Sequence, residues 1–216
     1  EPRRPPNEWF DEAASVGRGN ELELAAAEAA LAQLGRIPDD VFLSINLSPE
    51  VVLDPALPAL LDAVPPDRLV LELTEHAPVR DYDELLGRLE VLRARGIRTA
   101  VDDAGAGFAG LQHVLRLRPD ILKLDIALTS GIDHDPARRA LSTALVAFAA
   151  EIGAVIVAEG IETAGELRTL RDLGVPWGQG YHLARPGALP LATTTLTDAV
   201  ALEPTPPPRR TPPRGR

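Results

Sequence analysis

Cysteine is absent from the 216 residues, which excludes disulfides, thiolate zinc sites and a cysteine nucleophile. No apolar run approaches the roughly 18 to 20 residues of a membrane span, and no signal peptide is visible. A cytoplasmic, soluble chain with no membrane contact is the expectation. Positive charge is scarce: 22 Lys and Arg face 32 Asp and Glu, for a net charge of −10. That balance argues against a DNA or RNA footprint. Lysine is scarcer still, because Lys123 is the only one and it stands in the apolar stretch Asp120-Ile-Leu-Lys-Leu-Asp125. Either the site needs an ammonium group there or the side chain snorkels out of the core.

What is present is a regular alternation of strand and helix patterns. Residues 1–8 hold three prolines and read as an extended lead-in, 9–202 as one domain, and 203–216, with six prolines and four arginines, as a disordered tail. Strands are predicted over 41–47, 69–73, 98–103, 121–124, 155–158 and 177–183. Helices are predicted from Trp9, from an Asn20 cap to about Leu34, over 49–64, over 82–95 with a stop at Gly96, up to about Leu117, and over 136–152 with a stop at Gly153. Thr163 and Glu166 form a capping box for the last one. Strands separated by helices pair in parallel, since parallel neighbours need a crossover.

A polar residue sits at the C-terminal end of each strand: Asn46, Glu72, Asp102 with Asp103, Lys123, Glu159 and Gln179. In a (β/α)8 barrel all such ends converge on one mouth, whereas an open doubly wound sheet gathers only two or three. The expected fold is therefore α/β, a TIM-like barrel of which six βα units are visible. The two remaining strands are expected to precede the first one seen, and a chain starting at Glu1 rather than Met fits a fragment of something longer.

The stretch Val101 to Leu111, VDDAGAGFAGL, joins two adjacent carboxylates to three glycines, Gly105, Gly107 and Gly110. Adjacent carboxylates repel unless they share a proton or a cation, although one of them can instead cap the next helix while the other is solvated. Four carboxylates and one amide oxygen make a hard, all-oxygen donor set suited to Mg²⁺ or Mn²⁺ and poorly suited to zinc. Asp102 beside Asp103 suggests a bridge between two ions about 3.5–4 Å apart, an arrangement that favours phosphoryl transfer. Lys123 would orient the attacking water or hold phosphate charge, and the glycines let backbone N–H groups approach. His76, His113, His134 and His182 show no ligand spacing.

These motifs resemble, in order, those of the EAL domain of bacterial cyclic-di-GMP phosphodiesterases. Asn46-Leu47-Ser48 is similar to its NLS segment, Glu72-Leu73-Thr74-Glu75 to E-x-T-E, and Asp102 to Gly107 to DDFGTG. Lys123-Leu124-Asp125 is similar to K-I-D, Ala158 to Glu162 to AEGVE, and Gln179-Gly180-Tyr181 to QGY. The match runs from about Trp9 to Pro186. The resemblance implies a barrel that hydrolyses cyclic-di-GMP to linear pGpG with Mg²⁺ or Mn²⁺, two ions in all. It implies Asn46, Glu72, Asp102, Asp103 and Glu159 as metal ligands, with Glu159 and Lys123 positioning or deprotonating the water. Gln179 would support them, Glu75 would brace the loop after Asp103, and Asp125, Glu162, Gly105 and Gly107 would line or back the substrate. The family further implies a homodimer and an upstream sensory or regulatory module.

Two departures stand out. The E-x-L motif that names the family is absent and is expected a few dozen residues before Trp9. A chain that truly began near Glu1 would lack one charged ligand and would expose two parallel edges. The family's aromatic and threonine after the Asp pair are Ala104 and Ala106 here. Two other readings compete with the enzyme: a catalytically inactive cyclic-di-GMP receptor or interaction scaffold, and another Mg²⁺ barrel enzyme using Lys123 as a base.

Overall fold

The computed structural model describes residues 4–73, 79, 81–104 and 108–189, the side chains of 103, 104 and 108–112 excepted. Two compact units divide the chain, Glu1–Ala100 and Val101–Arg216. Glu75, Gly105, Gly107 and the predicted tail lie outside the described residues.

The first unit opens with helices α1 (Pro6–Ser15) and α2 (Gly19–Leu31). Helix α1 starts three residues earlier than the expected Trp9, inside the stretch read as an extended lead-in. Pro6 accounts for this, since a proline at the first helical position loses no hydrogen bond and already holds a helical φ. Asn20 is not the cap of α2. Arg18 holds that place, and its guanidinium donates to Glu21 at 2.5 and 2.9 Å.

Strand β1 (Leu43–Leu47) follows, then α3 (Pro49–Leu53) and α4 (Leu57–Leu61), where the sequence pattern predicts one helix over 49–64. The break lies at Asp54, whose extended ψ of 131° is what a following proline, Pro55, imposes. Ser48 caps α3 by accepting from Val51 N. Strand β2 (Leu69–Leu73) has the predicted bounds, and four of its five side chains are buried, the pattern of a parallel strand covered on both faces. Helix α5 (Tyr82–Ala94) is capped by Asp81 and buries Leu85, Leu89 and Leu92 at the i, i+4, i+7 spacing of one face. These leucines and those of β2 are the heart of the unit's core, each worth about 1.5–3 kcal/mol of burial. Strands β1 and β2 are neighbours and pair in parallel, with Asn46 opposite Glu72.

Strand β3 (Arg98–Ala104) begins in the first unit and runs into the second. The second unit continues with α6 (Phe108–Leu117), β4 (Ile121–Leu124), α7 (Ile126–Thr129), α8 (Pro136–Ile152), β5 (Val155–Ala158), α9 (Ala164–Asp172) and β6 (Trp177–Gly178). Its strand order is β3-β4-β5-β6, and β4, β5 and β6 pair in parallel. Helix α8 ends at Gly153 with φ of +73°, and α9 carries the full Thr163–Glu166 capping box, both as predicted. Helix α7 is not foreseen, because four residues are too few to show a helical period. Strand β6 is two residues long instead of the predicted 177–183. After Gly178 the chain folds over Ile161, whose backbone lies where a Cβ on Gly180 would sit. Among the described residues no helix is long and apolar enough to cross a membrane.

Candidate active site

Lys123 is the third residue of β4, every residue of which is buried; the lysine itself is 7% exposed. An ammonium group at that depth is costly unless carboxylates face it, and two do. Its Nζ lies 3.1 Å from Asp102 Oδ1 and 2.5 Å from Glu159 Oε1. The parallel register explains the second contact: Leu124 pairs with Ala158, and Glu159 N donates to Leu124 O at 3.0 Å, so Glu159 is the first residue beyond β5 and stands next to the lysine. Gln179, the first residue after β6, donates from Nε2 to the same Glu159 Oε1 at 2.7 Å.

Of these groups, Glu159 and Gln179 border an open cleft of about 750 Å³, with Gly160, Ile126, Tyr181 and Arg185 also on its wall. That volume suits a small organic ligand. The Arg185 guanidinium stacks over the Tyr181 ring, 4.5 Å from its centroid, and gives the cleft one cation and one aromatic face.

The other predicted residues are distributed as follows. Asn46 and Glu72 are opposite each other at the ends of β1 and β2 in the first unit, and Glu72 Oε1 accepts from Ser44 Oγ at 2.5 Å. Asp103 belongs to β3, but its side chain is outside the described ones. Asp125 caps α7 by accepting from Ala127 N at 2.5 Å. Glu162 is exposed, and its backbone N–H donates to Glu166 at 2.9 Å. The sequence motifs include Tyr181 but not its pairing with Arg185, and they do not include Ser44 or Thr129, whose hydroxyl donates to the Glu159 carbonyl oxygen. In the sequence pattern Glu166 is only half of a capping box. No local pattern marks Thr129 or Ser44, whereas the spacing Tyr181 to Arg185 across a short turn was open to notice.

Among the described residues no three His, Asp or Glu side chains form a ligand set on their own. The donor chemistry nonetheless fits a hard divalent ion. Asp102 and Glu159 offer only oxygen, and both already converge on one positive charge.

The family model for the EAL domain matches residues 2–186. The chain belongs to the EAL-domain family. Pseudomonas aeruginosa MucR, a bifunctional diguanylate cyclase/cyclic di-GMP phosphodiesterase, is 37% identical over 127 residues, which are 59% of this chain and 18% of MucR. Klebsiella pneumoniae BlrP1, solved with manganese and cy-diGMP at pH 9.0, superposes with a TM-score of 0.75 at 32% identity, over 84% of this chain and 48% of that one. The PaMucR phosphodiesterase in complex with c-di-GMP gives a TM-score of 0.72 at 30% identity, over 84% and 83% of the two chains. The fold class is that of these neighbours, a TIM-type (β/α)8 barrel. The chain spans about a fifth of the length of several of the curated relatives it matches and about half of others.

Proposed function

We propose that this chain is the catalytic domain of a divalent-metal-dependent phosphodiesterase that opens cyclic-di-GMP to linear pGpG. The observation that carries the reading is the Lys123 ammonium held between Asp102 and Glu159, the latter a residue of the cleft wall. A structural lysine would need one partner. Two carboxylates and a supporting amide on neighbouring strand ends instead build a charged site in the place where barrel enzymes do their chemistry. The phosphodiesterase relatives and the manganese in the BlrP1 complex support the choice of reaction and of metal class.

Asp102, Asp103 and Glu159 are the residues that would hold Mg²⁺ or Mn²⁺ in the second unit, and Asn46 and Glu72 carry the same assignment by motif. When bound, such an ion supplies Lewis acidity to the phosphate and to the attacking water. As the attacking water gives up a proton to Glu159, Lys123 Nζ would stabilise the negative charge left on its oxygen, and that charge passes to the phosphate as the oxygen bonds to phosphorus. The P–O3′ bond breaks, and the 3′ oxygen leaves with a proton, so one water is consumed per ring opened. Gln179 keeps Glu159 Oε1 aimed at Lys123 throughout. The Tyr181 ring and Arg185 guanidinium are placed to receive a purine face and a phosphate on the cleft wall.

The test is turnover of cyclic-di-GMP by the purified protein with Mg²⁺, with Mn²⁺ and with EDTA, alongside calorimetric binding. Metal-dependent release of pGpG is the expected result. Binding of cyclic-di-GMP without turnover under any metal would replace the enzyme with a receptor.

A further inference from the structure

The short helix α7 and the loop behind it are seated on the segment that carries Glu159 at four successive points. The side chain of Ile126 occupies the space where a Cβ on Gly160 would be, with the Ile126 Cγ1 2.4 Å from that position, and Gly160 has a φ of +63°. Thr129, fully buried, donates its hydroxyl to the Glu159 carbonyl oxygen. Gly131 N donates to Glu166 Oε1 at 2.7 Å, while Glu166 Oε2 accepts from Glu162 N and Thr163 N, both at 2.9 Å. Asp133 fills the position of a Cβ on Gly165, its Oδ2 2.2 Å away. The Glu166 carboxylate, 5% exposed, therefore ties three backbone N–H groups from two separate connections into one body.

That body joins the two catalytic strand ends from behind. Lys123 leads directly into α7 through Asp125, and Glu159 leads directly into the segment on which α7 rests. The Lys123–Glu159 contact is a side-chain contact only; its geometry is set by the two backbones beneath it.

We infer that Thr129 and Glu166 are positioning residues for the phosphodiesterase reaction, clamping residues 126–133 onto 159–166 so that the Glu159 carboxylate stays on the Lys123 ammonium. The inference rests on the function proposed above. Neither residue lines the described cleft, so both act through Glu159. A buried threonine and a buried capping glutamate retained only for stability would alter unfolding and leave the lysine's surroundings untouched.

Lys123 is the only lysine, so protein labelled with ¹⁵N-lysine gives one side-chain ammonium resonance, and that signal reports the contact directly. The wild type, Thr129→Ser, Thr129→Val, Glu166→Gln and Glu166→Ala are compared by this resonance and by steady-state hydrolysis of cyclic-di-GMP. In Thr129→Val and Glu166→Ala, kcat is expected to fall about tenfold or more with KM within about twofold, as for misplaced catalytic groups, and the Lys123 resonance is expected to move. Thr129→Ser keeps the hydroxyl and is expected to restore both. If Glu166→Ala does not fold, Glu166→Gln, which keeps one acceptor oxygen, and the Thr129 pair decide the matter. An unchanged kcat and an unmoved resonance in Thr129→Val and in the folded Glu166 variant would overturn the clamp, as would a Thr129→Ser no better than Thr129→Val. A wild type without turnover would overturn the phosphodiesterase reading alone, and the resonance would still decide for or against the clamp.

Discussion

Gln179 and Lys123 meet on a single atom of Glu159: Gln179 Nε2 donates to Oε1 at 2.7 Å, and Lys123 Nζ lies 2.5 Å from that same oxygen. Two donors on one oxygen fix the carboxylate's rotation more firmly than either does alone. Gln179→Ala is expected to lower kcat roughly tenfold with little change in KM, the cost of a slackened catalytic group. Gln179→Glu puts a second carboxylate against the first, and its defect should ease as pH falls and one of the two takes a proton. Steady-state kinetics between pH 5 and 8 measure both effects.

Lys123→Ala removes the charge on which Asp102 and Glu159 converge, and kcat is expected to fall at least about 100-fold. Lys123→Arg should not rescue it, because a planar guanidinium does not fit the place of a compact ammonium in a fully buried strand. Calorimetry with cyclic-di-GMP should show that binding survives in both variants. Wild-type turnover in either would refute the role assigned to the lysine.

Asp102→Asn keeps the shape of the side chain and removes its charge. Metal-dependent turnover should be lost, and the Mn²⁺ concentration needed for half-maximal binding of the ion should rise about 10-fold or more. EDTA on the wild type should reproduce the loss of turnover, and added Mn²⁺ should reverse it.

Glu166 makes a testable statement about acid stability. Burial pushes its carboxyl up, but the hydrogen bonds from Gly131, Glu162 and Thr163 outweigh that and hold it below its ordinary value of 4.5. A carboxyl whose pKa is lowered on folding contributes stability that is fully present above 4.5 and is lost as pH falls through the folded value. Glu166→Gln should therefore be less stable than wild type at neutral pH, and the gap should narrow below about pH 4.5. Urea midpoints from pH 3 to 7 check the sign, since a constant gap would mean that the charge is not what the N–H groups hold.

Two glycines predict opposite effects of the same substitution. A Cβ on Gly180 would lie 2.2 Å from both Ile161 N and Ile161 O, and backbone cannot step aside. Gly180→Ala should destabilise the protein by about 1–3 kcal/mol. Gly87 is exposed within α5 with nothing near its Cβ position, so Gly87→Ala should stabilise by about 0.5–1 kcal/mol. Urea denaturation of the two variants side by side separates the cases.

Much of the fold was legible because its signals are local. The β2, β4 and β5 strands are short apolar runs with clean ends, the Thr163–Glu166 box lies within four residues, and Gly153 stops α8 with a left-handed φ that other residues resist. The failures have local causes of another kind. Pro55 divides what periodicity reads as one helix, Pro6 allows a helix inside what reads as a lead-in, and β6 stops where the chain must cross Ile161. Helix α7 has four residues and no period to detect.

The sequence by itself determined the order of strands and helices, the polar residue that closes each strand, the scarcity that singles out Lys123, and membership of the EAL family, all through patterns that span a few residues or recur in order. Only the tertiary structure decided that Asp102 and Glu159, 21 and 36 positions from Lys123, reach one ammonium, that Gln179 shares an oxygen with it, and that Thr129 and Glu166 tie α7 to the Glu159 segment. The physical reason is that propensity and capping act along the chain, while a separation between distant residues is set by strand register and by the packing of helices behind the sheet.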